Sequence, residues 1–115
     1  MPPFDPRALL DEYGDETLVR DLAQLLIETV PAQVDAVQSA VVARDGAALR
    51  AAAHKLRGSI APFGMPAAVE MARTLEAMGT AGNLDGADAL SRGLTADVQS
   101  LRDSAKDWLD GAVPR

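Results

Sequence analysis

Apolar residues recur every three or four positions along most of the 115-residue chain. This spacing places them on one face of an α-helix and is typical of amphipathic helices that pack together. Glycine, proline, asparagine and aspartate interrupt the pattern at 14–15, 44–46, 63–66 and 79–83. The pattern therefore predicts five helices, at about 5–13, 15–43, 47–63, 66–79 and 84–109.

The second predicted helix is the longest and contains a proline. Pro31 has no N–H to donate to the Ile27 carbonyl, yet the apolar spacing continues in phase on both sides of it. We therefore predict one helix that is bent at Pro31. Its expected core stripe consists of Leu18, Leu22, Leu25, Leu26, Val30, Val34, Val37 and Val41.

The last three helices carry core stripes of the same kind. These stripes are Leu49, Ala53, Leu56, Ile60 and Phe63, then Val69, Ala72, Leu75 and Met78 or Gly79, and finally Leu94, Val98, Leu101, Ala105 and Trp108. Four long helices joined by short loops predict an all-α fold, an antiparallel up-down-up-down four-helix bundle with a short extra N-terminal helix. The length suits one core, so residues 1–115 are expected to form a single domain.

Composition and charge exclude several classes of function. The sequence has no cysteine and one histidine, so we expect no metal site. A formal net charge of -6 argues against nucleic-acid binding. No apolar run approaches the roughly 18 to 20 residues of a membrane span, and no basic leader precedes one. The sequence therefore predicts a soluble, cytoplasmic protein without a membrane partner.

The histidine, His54, lies on the outer face of the third predicted helix. At about 100° of rotation per residue, it is about 140° from the centre of the core stripe. The residues that share this face are small or basic: Arg50, Ala51, Arg57, Gly58 and Ala61. The ordinary alternatives are a solvated histidine, solvating arginines and a glycine that packs against another helix.

This face suits the transfer of a phosphoryl group. A neutral imidazole can attack phosphorus through one nitrogen while the other holds the proton. Arg50 and Arg57, one turn away on either side, could stabilise the arriving negative charge. Glycine is unfavourable inside a helix by roughly 0.5 to 1 kcal/mol relative to alanine, so Gly58 suggests close approach of a partner. Ala51 and Ala61 would extend that docking surface.

The residues around His54 form a specific motif. It comprises Ala53-His54-Lys55-Leu56-Arg57-Gly58-Ser59, followed by Gly64 and by Leu75-Glu76. This motif resembles the histidine-containing phosphotransfer (HPt) domain of bacterial two-component phosphorelays. Nearly the whole chain is similar to that family, because further matches occur at Phe4-Asp5-Pro6, Gly14-Asp15, Pro31 and Asp45.

The resemblance implies a function and its partners. His54 would accept a phosphoryl group from a sensor or hybrid histidine kinase, or from a receiver-domain aspartate, and pass it to the aspartate of a response-regulator receiver. The chain would be a carrier without kinase activity and without a cofactor of its own, because Mg²⁺ belongs to the partner receiver. Arg57 stands where the family most often has lysine. Glu76 stands where family members hydrogen-bond the other histidine nitrogen, and a solvent-facing glutamate is the alternative.

One residue departs from the family pattern, and two other interpretations stay open. Pro62 is not typical of the family and is expected to bend the third helix just beyond His54. The main alternative function is a helical adaptor that binds receiver domains without being phosphorylated. A module excised from a larger kinase is another, although Met1 and the absence of linker composition at 108–115 favour a stand-alone protein. We expect a monomer.

Overall fold

The computed structural model describes residues 3–111, and this range is helical without a strand. The five helices are α1 (Pro6–Tyr13), α2 (Glu16–Val42), α3 (Gly46–Ile60), α4 (Pro66–Ala81) and α5 (Ala87–Leu109). None of them is long and apolar enough to cross a bilayer. Met1 and residues 112–115, which bear on the expectation of a stand-alone protein, lie outside the described range.

The first three helices each begin at an aspartate. The carboxylates of Asp5, Asp15 and Asp45 accept backbone N–H groups of the first turn at 3.1, 2.8 and 3.0 Å. Such N-caps satisfy donors that the helix leaves unpaired and stabilise it by about 1 kcal/mol each. Asp45 therefore fixes where α3, the helix that carries His54, begins.

The four long helices contact one another as a closed ring. α3 packs against α4 and α2, and α5 contacts both α2 and α4. Alanine, valine and leucine dominate the core, which allows close helix packing. The largest fully buried side chains are Leu49, Leu56, Ile60, Leu75, Leu94, Leu101, Val19, Val30, Val37, Val41 and Val98.

The core stripe predicted for the first half of α2 is partly wrong. Leu18 and Leu25 are 40% and 60% exposed, whereas Val19 and Ala23 are fully buried. Residues 18, 19, 22, 23, 25 and 26 are all apolar, so two helix faces fit the spacing equally well. The face with the smaller side chains turns inward, which leaves leucines on the surface.

The third helix ends earlier than its apolar pattern suggests. α3 stops at Ile60 and continues as a 3₁₀ turn over Ala61–Phe63. Pro62 has no N–H to donate to the Gly58 carbonyl, so the α-helical bonding pattern cannot continue there. At Pro62, where the sequence predicts a bend, the structure shows a change from α-helix to 3₁₀ helix after Ile60. The last helix begins later than its predicted start at about 84. α5 starts at Ala87, and Leu84 is buried in the turn before it.

Pro31 lies inside α2 and does not end it, so the prediction of one continuous helix is confirmed. The Ile27 carbonyl, which receives no bond from position 31, accepts a hydrogen bond from the Nε of Arg102 on α5 at 3.3 Å. A carbonyl without a donor is costly when it is partly buried. Arg102 therefore replaces the missing backbone donor and ties α2 to α5.

Replacing this arginine should destabilise the protein only when the proline is present. We expect Arg102→Met to lower the free energy of unfolding by about 1 kcal/mol. In a Pro31→Ala background the cost should largely vanish, because the alanine N–H donates to the Ile27 carbonyl. Urea unfolding of the four chains measures this coupling, with Arg92→Met on the exposed side of α5 as control. An equal cost in both backgrounds would contradict the assignment.

Candidate functional site

The predicted site residues on α3 share one exposed face. Buried Ala53 and Leu56 anchor the helix beside His54, whose own side chain is 65% exposed. Helical geometry carries the neighbours one turn away onto the same side. Exposed residues of this face are Arg50, Ala51 and Ala61, together with Gly58, and Arg57 at its edge is half-buried.

Glu76 of α4 lies against this face and connects two of its residues. One carboxylate oxygen, Oε1, is 3.0 Å from Nδ1 of His54. The other, Oε2, accepts hydrogen bonds from Nε and Nη2 of Arg57 at 3.2 and 3.0 Å. The Glu76 side chain is only 22% exposed, so these contacts are partly shielded from solvent. Glu76 is therefore not a solvent-facing glutamate, which was the alternative that the sequence left open.

The ionisation of Glu76 decides where the imidazole proton lies. Partial burial raises the pKa of the Glu76 carboxyl, but hydrogen bonds and charge from Arg57 and His54 together lower it more, so the pKa lies below its ordinary value of 4.5. At neutral pH the carboxylate is ionised and only accepts hydrogen bonds. The contact with Nδ1 therefore requires a proton on Nδ1. In the neutral ring this leaves the lone pair on Nε2.

The two arginines have different surroundings. Nη2 of Arg57 is also 3.3 Å from Nδ1 of His54. A protonated Nδ1 cannot accept a hydrogen bond, so the hydrogen bonds of Arg57 here are the two that Nε and Nη2 donate to Glu76. Arg57 thus neutralises the carboxylate and holds its orientation. Arg50 is exposed and makes no ion pair within residues 3–111, so its guanidinium is available to an incoming anion. The same range contains no group of acidic, histidine or cysteine side chains that could hold a metal.

An apolar groove that sequence reasoning missed lies beside this face, between α2 and the end of α3. Its volume is about 330 Å³. A side chain added at Gly58 would meet no atom within 4 Å, so internal packing does not require this glycine. The apolar spacing had assigned Leu25 to the core, so no sequence signal pointed to this groove. The groove is lined by Leu22, Leu25, Leu26, Thr29, Lys55, Gly58, Ser59, Pro62 and Phe63.

Comparison with known families decides what kind of domain this is. A sequence model described as Hpt domain matches residues 21–104, which include α3, α4 and every predicted site residue. The chain belongs to the Hpt domain family. Neither a curated protein nor a solved structure matches it in the corresponding comparisons. Hpt domains act in histidine phosphotransfer within two-component phosphorelays, as carriers rather than kinases.

The proton position at His54 is open to direct measurement. We expect the neutral form of the His54 ring to carry its proton on Nδ1 in the native Hpt domain, and Glu76→Gln to raise the population of neutral ring protonated on Nε2. An amide can both donate and accept, so it no longer fixes one tautomer. Side-chain ¹⁵N NMR reports this without overlap, because His54 is the only histidine.

The exposed Glu70→Gln, whose carboxylate contacts Arg73 at 3.0 Å, is the matched control. Its spectrum should equal that of the native protein. A native ring protonated mainly on Nε2 would contradict the assignment.

Proposed function

We propose that Nε2 of His54 is the atom that accepts and donates the phosphoryl group. The observation that carries this proposal is the 3.0 Å contact between Nδ1 and Glu76, which leaves Nε2 as the free nucleophile on an exposed ring. The family match supports histidine phosphotransfer in general. His54 is the only histidine in the sequence, so no other side chain offers the same chemistry.

The proposed transfer is a reversible exchange of one bond to phosphorus for another. The Nε2 lone pair attacks the phosphorus of a receiver phospho-aspartate, a P–N bond forms, and the bond to the acyl oxygen breaks. The aspartate carboxylate leaves with that electron pair, and Nδ1 keeps its proton. The ring becomes positively charged, and the Glu76 carboxylate stabilises this charge. The reverse step releases the same neutral imidazole. The direction of transfer is therefore set by the free energy of phosphohistidine relative to that of the partner's phospho-aspartate.

The remaining site residues support this exchange in separate ways. Arg57 lowers the pKa of the Glu76 carboxyl and keeps the carboxylate aimed at Nδ1. Arg50, exposed one turn from His54, is proposed to bind phosphoryl oxygens. The small residues Ala51, Gly58 and Ala61 give a partner backbone room to approach the ring. We propose that the apolar groove beside Gly58 receives apolar side chains of that partner.

The proposal extends to partners and setting. A sensor or hybrid histidine kinase or a receiver domain supplies the phosphoryl group, and a response-regulator receiver accepts it. The receiver also supplies Mg²⁺. We propose that the chain acts as a monomer. We place it in the cytoplasm, because that is where histidine kinases have access to ATP. The ring of helix contacts and the short connections support an antiparallel up-down-up-down arrangement of α2 to α5.

A non-phosphorylated adaptor is the second candidate function. The groove and the small residues around Gly58 would serve an adaptor equally well. An adaptor, however, has no use for a carboxylate held against Nδ1 or for the arginine that positions it. The Glu76 contacts therefore favour a carrier.

Phosphorylation can be tested before any partner is identified. Phosphoramidate carries a P–N bond and can donate directly to histidine, so we expect it to label the native chain once, with acid-labile and alkali-stable phosphate. His54→Gln should remain unlabelled while keeping its fold, because the side chain is exposed. Intact-mass measurement after acid and alkali treatment checks this. Unlabelled native protein that still binds receiver domains would support the adaptor instead.

The groove can be tested separately from the chemistry. We expect Leu25→Asp to slow transfer from a phosphorylated receiver domain by roughly tenfold, because an apolar contact worth about 1 to 2 kcal/mol is lost. Labelling by phosphoramidate should stay at the native rate. Val42→Asp is the matched control, since Val42 is also on α2 and is 81% exposed but lies outside the groove. Equal transfer rates for both variants would show that the groove is not used.

A further inference from the structure

The backbones of α3 and α4 touch at a pair of glycines. A Cβ atom placed on Gly79 would lie 2.5 Å from the carbonyl oxygen of Gly46 and 2.7 Å from the backbone nitrogen of Arg50. A Cβ placed on Gly46 would lie 2.7 Å from the carbonyl oxygen of Gly79. These atoms belong to backbone and cannot rotate away as a flexible side chain could. Any side chain at either position must push the two helices apart.

This contact lies next to the proposed phosphotransfer site. Gly79 is three residues after Glu76 on α4, and Arg50 is four residues before His54 on α3. On α4 one helical turn therefore separates Gly79 from Glu76, whereas on α3 the contact extends from Gly46, about two turns before His54, to Arg50, one turn before it. Two rigid helices that move apart at one turn also separate at the next. Ordinary carbon contacts begin near 3.5 Å, so an added Cβ requires a displacement of about 1 Å.

The hydrogen bond has little tolerance for such a displacement. At 3.0 Å it is near the favoured length, and lengthening by about 1 Å abolishes a hydrogen bond. The other glycines within the helices differ. A Cβ placed on Gly58 would meet no atom within 4 Å, and one placed on Gly93 would meet only the flexible Met71 sulfur, at 3.4 Å. Among the glycines within helices, Gly46 and Gly79 are therefore the ones at which packing against backbone excludes a side chain.

We infer that Gly46 and Gly79 are positioning residues for phosphotransfer, which set the distance between Glu76 and His54 by letting the two helix backbones touch. This inference rests on the proposed function. The glycines contact neither the ring nor the phosphoryl group and act through Glu76. Their effect should therefore be the same as losing the Glu76 hydrogen bond.

The test compares Gly79→Ala, Glu76→Gln and the double variant in the full chain. We expect Gly79→Ala to shift the His54 tautomer toward Nε2–H, as Glu76→Gln does, and to slow labelling by phosphoramidate by up to about 100-fold. The double variant should be no slower than Glu76→Gln alone, because both changes remove the same contact. Gly93→Ala should match the native protein in tautomer and rate.

Gly46→Ala provides an independent second variant, since its clash is with the opposite side of the same contact, the Gly79 carbonyl. A folded glycine variant with native tautomer and native rate would overturn the inference, and so would rate losses that multiply in the double variant. If circular dichroism shows that both glycine variants lose the fold, the glycines serve folding and the inference also fails. If the native protein is not labelled at His54, the proposed function itself fails.

Discussion

The carboxylate of Glu76 is the group on which the site depends, because it connects α4 to α3 and contacts both His54 and Arg57. Oε2 accepts two hydrogen bonds from Arg57, and Oε1 lies 3.0 Å from Nδ1 of His54. Arg57 lowers the pKa of this carboxyl and holds its orientation, and the ionised carboxylate keeps the proton on Nδ1. The free lone pair on Nε2 of this exposed side chain follows from these two facts.

The bundle supplies the rigidity that this small site requires. His54 is largely exposed, but Ala53 and Leu56 beside it are buried and fix the rotation of α3. Asp45 caps the start of that helix, and Pro62 ends its α-helical hydrogen bonding after Ile60. The exposed face between these ends is short and carries the small residues Ala51, Gly58 and Ala61.

Local sequence signals predicted much of this architecture. Breaks at glycine, proline, asparagine and aspartate marked the helices, and spacing alone predicted that His54 lies on the outer face of α3. The misassigned Leu18 and Leu25 show the limit, because continuous apolar sequence does not say which face of a helix is buried. Contacts between helices were beyond local reasoning. Nothing near Arg57 in sequence indicates that its guanidinium binds Glu76, and nothing near Gly46 indicates that its partner is Gly79.

The most direct test of the central claim is to identify the nitrogen that carries phosphorus. The chain, labelled with ¹⁵N in its single histidine, would be phosphorylated with phosphoramidate and observed by ³¹P–¹⁵N correlation NMR. We predict that phosphorus couples to Nε2 and that Nδ1 retains its proton against Glu76. Phosphorus bonded to Nδ1, or phosphorylation that leaves the histidine ring unmodified, would contradict that claim.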